Sequence, residues 1–389
     1  MKKKFVFAVQ GEGRGHLTQA IATYELLTEQ GHEVAAVLIG SSTRREIPGF
    51  VRQRIKCPVL TYSSPNFVTD KENKSIKLGK TLWKTLAQWK SYRNSMQLIR
   101  TTIASLQPDL LLNFYEPLVG ACSLLKPLPV KTISIAHQFL YLHPEFEFPE
   151  DSPVKEKWAI QQYTRLTAAR ADAMLALSFY PMARPLFKNI QVCPPLLRRE
   201  VARQELFEGD YILVYLLNSG YMQEVINWHK NHPQVQVHCF TDSGTVKGKW
   251  QYHENLYFHS LDDQKFLRYM ANAKGLVTTA GFESVCEAMY MGKPVLMVPV
   301  QGHFEQWCNA RDAHKAGAGI YADSFQLNTL LEYIPRYRST AKSFRIWQEE
   351  TEEILLNTFA RVLKEPLQKN AAPVVPLPHL LTGQQLGHS

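Results

Sequence analysis

Several features that mark common protein classes are missing from this sequence. Its six cysteines contain no Cys-x-x-Cys pair and no Cys/His spacing typical of zinc sites, so neither a zinc module nor another metal site is expected. These cysteines are Cys57, Cys122, Cys193, Cys239, Cys286 and Cys308. Because several stand in apolar runs, we predict buried free thiols in a reducing compartment. No nucleic-acid-binding motif is present, so we expect no nucleic-acid partner.

Long apolar runs are also missing. The basic start Lys2-Lys3-Lys4 is followed only by the apolar run 5–9 before a glycine-rich segment, which is too short for the core of a signal peptide. No other run approaches the roughly 20 residues that a membrane-spanning helix needs. We therefore predict a cytoplasmic protein. Its composition, 45% hydrophobic and 20% charged, is that of a soluble globular chain.

Acidic residues are outnumbered by basic ones, which gives a formal net charge of +9. A basic chain favours anionic partners. Without a nucleic-acid motif, the expected partners are diphosphate-bearing small molecules and the anionic inner face of a membrane. A length of 389 residues predicts two domains, each large enough for its own core.

One stretch, residues 275–320, organises the rest of the chain. Residues 275–279 form a short β-branched apolar run that predicts a buried strand, and Ala280-Gly281 interrupts it. Apolar residues at helical spacing then predict a helix over 282–291, which Gly292 and Pro294 would end. A second buried strand is predicted to follow.

A strand, a glycine turn and a helix start together form a potential anion site. The first N–H groups of a helix have no partner within the helix, and the helix dipole is positive there. Gly281 would let a phosphate approach the backbone, Ser284 adds a hydroxyl, and the carboxylate of Glu287 can accept hydrogen bonds from ribose hydroxyls. An ordinary strand–turn–helix unit would share this pattern, so the turn alone does not decide between binding and structure.

The next loop extends the pattern, and the whole stretch resembles the donor-binding segment of GT-B glycosyltransferases. It is most similar to the plant-type UDP-glycosyltransferases and to the bacterial enzyme that adds N-acetylglucosamine to the lipid-linked peptidoglycan precursor. The matching residues are Gly281, Ser284, Glu287, Gly292, Pro294, Pro299, Glu305, Gln306, Asn309 and Ala310. The chain departs from the plant pattern at Thr279, where those members have a phosphate-binding His, and at Leu261, where they stack a Trp on uracil.

The resemblance implies an α/β fold of the GT-B type, with two Rossmann-like domains facing across a cleft. It also implies transfer of a hexose from a nucleotide-diphosphate sugar, with UDP-sugar as the expected donor, to an acceptor hydroxyl. No metal or other cofactor is expected, since no Asp-x-Asp stands at a strand end. The residues that it places at the donor are Gly13, Gly15, Ser219, Leu261, Ala280, Gly281, Phe282, Ser284, Glu287, Glu305 and Gln306.

The start of the chain has a second glycine-rich turn. Residues 4–10 predict a strand, 11–15 a glycine loop, and the following residues a helix and a second strand, which is the opening of a doubly wound sheet. A dinucleotide site is the commonest reason for such a turn. However, Gly40-Ser41 stand where the acidic ribose ligand of an NAD site is expected.

In the GT-B fold this first loop faces the acceptor, and His16 matches the general base of the plant enzymes. An imidazole titrating near neutrality can take a proton from an attacking hydroxyl. Glu12 is the alternative base, and a structural histidine at a helix start is the alternative to both. Asn113 stands where plant members have the Asp that orients the base, so Glu116, three residues on, is predicted to take that role.

A helix is predicted from Leu82 to Leu106, with lysines and Trp83 near its start. It either lies on an anionic membrane or packs its apolar stripe against the core. The predicted organisation is an acceptor-side domain (1–197), a donor-binding domain (198–343), a helix returning to the first domain (344–365) and a disordered tail (366–389).

Two other functions remain open for such a chain. One is a nucleotide-sugar epimerase of the same fold, which would need further carboxylates around the sugar. The other is a sugar-nucleotide-binding protein without catalysis, against which His16 and the pair Glu305-Gln306 argue. Release of nucleoside diphosphate only when an acceptor is present would separate the three.

Overall fold

The computed structural model describes residues 2–41, 47–65, 88–216, 219–241 and 248–364. Within these residues, the chain forms two mainly parallel sheets that are covered by helices on both faces. This is the predicted α/β arrangement of two Rossmann-like halves.

The first sheet is built from apolar strands. Its described strands are β1 (Lys4–Gln10), β2 (Glu33–Ser41), β3 (Val59–Ser63), β4 (Leu110–Phe114), β5 (Lys131–Ala136), β6 (Ala173–Leu177), β7 (Leu186–Phe187) and β8 (Ile190–Cys193). Their order is β3-β2-β1-β4-β5-β6-β8-β7, and only the β7–β8 pair is antiparallel. Every residue of β4 is buried, since a parallel sheet is covered on both faces.

Helices connect these strands in the right order for a doubly wound sheet. Those described are α1 (Arg14–Glu29), α2 (Gly49–Arg54), α3 (Trp89–Leu106), α4 (Pro117–Leu125), α5 (Val154–Thr167) and the short α6 (Arg199–Ala202); a 3-10 turn spans His137–Leu142. The described part of the predicted basic helix is α3, which buries Met96, Ile99 and Ile103 and leaves Trp89 53% exposed. Leu82 and Trp83 lie outside the described residues.

The second sheet repeats the scheme. Its described strands are β9 (Tyr211–Leu216), β10 (Gln236–Thr241), β11 (Lys249–His253), β12 (Leu256–Ser260), β13 (Gly275–Thr278), β14 (Val295–Met297) and β15 (Gly319–Tyr321), in the order β11-β12-β10-β9-β13-β14-β15. Its described helices are α7 (Met222–Lys230), α8 (Asp263–Asn272), α9 (Phe282–Tyr290), α10 (Phe304–Lys315) and α11 (Asn328–Tyr333), with 3-10 turns at Ser219–Tyr221 and Ile334–Arg336.

The end of the described chain returns to the first sheet. The long helix predicted from residue 344 is two helices, α12 (Ala341–Glu349) and α13 (Thr351–Lys364), which meet at Glu350. The indole Nε1 of Trp347 donates to the carbonyl of Ser178 at 3.0 Å, and the ring of Phe359 packs on Phe5. The tail predicted for 366–389 lies outside the described residues.

The carboxyl ends of the two sheets face each other, and polar side chains bridge them. Gln138 Nε2 donates to Glu305 Oε1 at 3.0 Å, and the hydroxyl of Tyr141 donates to Asn309 Oδ1 at the same distance. Ligands of open parallel sheets bind at such ends, so this cleft is where a functional site is expected.

Two composition-based expectations can be compared with the described residues. All six cysteines are free, and five are buried, with Cys57 half-buried. Across the described ranges, no helix combines the length and apolar character needed to cross a bilayer.

Candidate active site

The loop after β1 places His16 at the cleft. The backbone N–H of Gly11 donates to the carbonyl of Gly40 at 2.7 Å. A Cβ on Gly11 would lie 2.8 Å from Ile39 Cγ2, so only glycine allows this close approach. The chain then enters α1 at Arg14, which leaves His16 buried in the first turn of the helix.

His16 contacts Tyr115 through its ring face and Gln19 through its Nδ1 atom. Its ring is 8% exposed and stacks on Tyr115 with the ring centroids 5.4 Å apart. Its Nδ1 lies 3.3 Å from Oε1 of Gln19, whose Nε2 donates to Oε1 of Glu283 at 2.5 Å. An amide oxygen can only accept, so Nδ1 carries the proton and Nε2 keeps its lone pair.

Burial lowers the pKa of His16 below its ordinary 6.5, although the charge of Glu305 and the bond to Gln19 oppose the shift. The imidazole is therefore neutral at pH 7. A neutral ring with a free Nε2 can accept a proton from a hydroxyl in the cleft.

Glu116 was predicted to orient His16, but its carboxylate contacts other groups. Its Oε1 accepts hydrogen bonds from Ser64 Oγ at 2.6 Å and from the N–H of Leu118 at 3.0 Å. Pro117 begins α4, so the carboxylate one residue earlier caps that helix. Burial raises the pKa of Glu116 to about 7. Gln19, which the sequence reading overlooked, is the residue that contacts the imidazole.

Glu12 lies in the same loop and is half-buried. Burial raises the pKa of the Tyr163 hydroxyl, and the nearby charges of Glu116, Glu305 and Glu12 raise it further. All three carboxylates therefore act electrostatically on one tyrosine of α5. Glu12 and His16 are therefore the two candidates for the general base.

The opposite side of the cleft is formed by the turn between β13 and α9. Ala280 has a left-handed φ of 55°, and Gly281 occupies the N-cap position of α9 without a side-chain cap. A Cβ on Gly281 would meet only Ser284 Oγ, at 3.8 Å, so the space in front of it is open. The buried Thr279 Oγ1 has no hydrogen-bond partner among the described residues. The turn can therefore accept an anion.

Glu287, predicted to bind ribose, is instead paired with Arg198. Its Oε1 accepts from the guanidinium Nε at 2.8 Å and from Nη2 at 2.5 Å. The two side chains are only 3% and 9% exposed. Burial alone would lower the pKa of Arg198, but the charges of Glu287 and Asp263 raise it above its ordinary value, so the guanidinium stays charged. In this conformation the Glu287 carboxylate is not offered to a ligand.

The other predicted donor residues vary in how they face the cleft. Glu305 accepts from Gln138, and Gln306 uses its Oε1 to accept from the N–H of Val300 at 2.8 Å, which shapes the loop before α10. The ring of Phe282 is covered by His137, with centroids 4.0 Å apart, so it is a packing residue here.

Four further predicted donor residues are two glycines at the start of α1 and two residues of the second sheet's half. Gly13 is the N-cap of α1 and has open space beside it, whereas a Cβ on Gly15 would lie 3.2 Å from Glu283 Cγ. Leu261 is half-buried at the end of β12. Ser219 begins a 3-10 turn, and its side chain lies outside the described residues.

The architecture is that of GT-B glycosyltransferases. The glycosyltransferase of kitacinnamycin superposes with a TM-score of 0.60 at 14% identity, covering 93% of this chain and 97% of that one. UGT2 of Phytolacca americana, solved with UDP-2fluoro-glucose and pterostilbene, superposes with a TM-score of 0.60 at 12% identity, covering 92% and 99%.

Sequence comparison carries the assignment further. The model of glycosyl transferase family 1 matches residues 3–336, and the chain belongs to that family. An uncharacterized glycosyltransferase of Methanosarcina acetivorans is 24% identical over 343 residues, which is 81% of this chain and 82% of the relative. The protein is a glycosyltransferase.

Proposed function

We propose that the protein transfers a hexose from a nucleotide-diphosphate sugar, with a UDP-sugar as the expected donor, to an acceptor hydroxyl. The observation that carries this proposal is that two features share one cleft. One is an imidazole whose Nδ1 is bonded to Gln19, which leaves Nε2 as the acceptor, and the other is a helix start without a side-chain cap, beside a Thr279 hydroxyl that has no partner among the described residues. The similar fold of UGT2, which was solved with UDP-2fluoro-glucose, supports the choice of donor.

In the proposed reaction, Nε2 of His16 takes the proton of the acceptor hydroxyl as its oxygen attacks the anomeric carbon. The bond from that carbon to the diphosphate breaks, and the charge that develops on the leaving group lies at the start of α9. Backbone N–H groups of the turn, together with the Thr279 hydroxyl, stabilise it. The Ser284 hydroxyl instead donates to the carbonyl of Gly281 at 3.3 Å. The N–H groups and the Thr279 hydroxyl supply the stabilisation without a metal ion, so we propose a metal-independent transfer.

The two halves divide the work in this proposal. Residues 1–197 bind the acceptor and carry the base, and 198–343 bind the donor. We also propose that Glu305, which accepts a hydrogen bond from Gln138 across the cleft, accepts hydrogen bonds from the transferred sugar.

The test is a panel of UDP-sugars incubated with a mixture of hydroxyl acceptors, followed by mass spectrometry of the glycosides and a coupled assay for released nucleoside diphosphate. We expect diphosphate release only when an acceptor is present, with the same rate in excess chelator. Conversion of the donor to its epimer without an acceptor would point to the epimerase instead, and binding without turnover to a non-catalytic protein.

A further inference from the structure

A hydrogen-bonded chain crosses the cleft and ends on His16. It starts at Glu283, the second residue of α9, passes through the amide of Gln19, and reaches Nδ1 of the imidazole. Gln19 lies three residues after His16 on α1, so the two side chains share one face of the helix, and Gln19 is 2% exposed. These hydrogen bonds therefore link the donor-side turn to the candidate base.

We propose that Gln19 and Glu283 are positioning residues that hold His16 in the tautomer with the proton on Nδ1 and the lone pair on Nε2. This proposal rests on the proposed function, in which His16 is the base. A neutral imidazole has one N–H, and the partner of that nitrogen decides which one carries it. Asn113, at the position where the plant enzymes have their orienting Asp, contacts Thr167 and the N–H of Glu116 instead.

Glu283 sets the direction of the two hydrogen bonds that link it through Gln19 to His16. Above the Glu283 pKa of about 8 the ionised carboxylate can only accept, so the NH2 group of Gln19 points to Glu283 and its Oε1 points to His16. Without that carboxylate, the amide of Gln19 can turn over at no steric cost and donate to Nδ1. The ring proton would then move to Nε2, and the lone pair would no longer face the acceptor.

Glu283 lies in the first turn of α9, next to Gly281 and Ser284. The half proposed to bind the donor therefore contributes one of the residues that orient the base. Opening of the cleft would break the bond between Gln19 and Glu283 and release the imidazole. The pKa of Glu283 is raised to about 8, mainly by burial. The charge of Glu287 also raises it, whereas the hydrogen bond to Gln19 and the charge of Arg198 oppose the increase. Glu305 is the charged group that acts on His16 itself.

The experiment reads the tautomer directly. Long-range proton–nitrogen NMR on the full-length protein distinguishes Nδ1–H from Nε2–H, and the His16 signal among the 13 histidines is identified by its loss in His16→Gln. Spectra are recorded about one unit above the Glu283 pKa of about 8, where its carboxylate is ionised. The parent is expected to show Nδ1–H.

Two variants on opposite sides of the cleft, Gln19→Met and Glu283→Ala, should shift His16 toward Nε2–H. They should also lower kcat by about 10- to 100-fold, with little change in the KM for the donor. Glu283→Gln should recover part of the rate, because an amide oxygen can still accept from Gln19. Gln30→Met is the matched control, because it removes an amide at the C-terminal end of the same helix, and it should behave like the parent.

If both variants keep the Nδ1–H tautomer, the positioning role is wrong, whether or not His16 is the base. If the tautomer shifts while kcat is unchanged, the positioning role holds and the proposed role of His16 in catalysis fails. Either variant alone suffices for the tautomer reading should the other fail to fold.

Discussion

Replacing Glu287 with alanine separates two roles for this side chain. The family pattern predicts a contact with the donor ribose, whereas the structure shows a buried ion pair with Arg198. In the variant, the Arg198 guanidinium would remain between α9 and the segment that joins the two sheets, without its main partner. The expected effect is therefore on stability first.

The magnitude follows from what surrounds the guanidinium. Removing one member of a buried ion pair costs about 3–5 kcal/mol, because the other charge is left uncompensated. Asp263 Oδ2 lies 4.0 Å from Arg198 Nη1 and keeps part of the compensation, so we expect the lower end of that range. At roughly 2–4 °C per kcal/mol, the Tm should fall by about 6–12 °C.

The assay is thermal and urea unfolding of the parent, Glu287→Ala and the double variant Arg198→Met/Glu287→Leu. The double variant removes both charges and should regain most of the lost stability. Glu353→Ala, at an exposed position of α13, is the control and should stay within about 0.5 kcal/mol of the parent. A stable Glu287→Ala protein with weakened nucleoside diphosphate binding would refute the ion-pair argument and restore the ribose contact.

Three further predictions follow from the cleft. His16→Ala should lower turnover by about 10²–10⁴-fold while leaving donor affinity measured by calorimetry nearly intact, and retained turnover would move the role to Glu12. Protonation of His16 itself should cost the parent activity below pH 6.5, because burial lowers the pKa of His16 from that value. The folded-state pKa of Glu116, about 7, lies above its ordinary 4.5, so the folded protein binds the proton more tightly than the unfolded chain does. As pH rises from 4.5 to 7, the unfolding free energy of the parent should therefore fall by about 3 kcal/mol relative to that of Glu116→Gln. A difference between the two proteins that does not change with pH would contradict this. Sedimentation with anionic vesicles should decline steeply with salt if the expected membrane contact exists, and no sedimentation at low salt would remove it.

Local patterns were sufficient for the elements around the cleft. The strand at 275–278 and the helix that begins at Phe282 lie where the apolar run and Gly281 predicted them. Gly292, with a left-handed φ of 71°, follows that helix as its C-terminal signal indicated. Such features depend on neighbours a few residues away, which is the range that sequence periodicity reports.

The contacts that decide chemistry are of longer range. Arg198 and Glu287 are 89 residues apart, and Gln19 and Glu283 are 264 apart. Nothing in the spacing of either segment names its partner. The break between α12 and α13 also went unseen, because the apolar stripe continues across it.

The misplaced roles of Glu116 and Glu287 share a physical cause. A carboxylate withdrawn from water must find donors, and the nearest ones in space take it before a ligand does. Glu116 is therefore taken by a helix start and a serine, and Glu287 by an arginine. Glu116 and Glu283 each keep an Oε2 that has no partner among the described residues, so the fold satisfies only one oxygen of each. Glu283 differs in what its bonded oxygen reaches, since of these three carboxylates it is the one connected, through Gln19, to the candidate base.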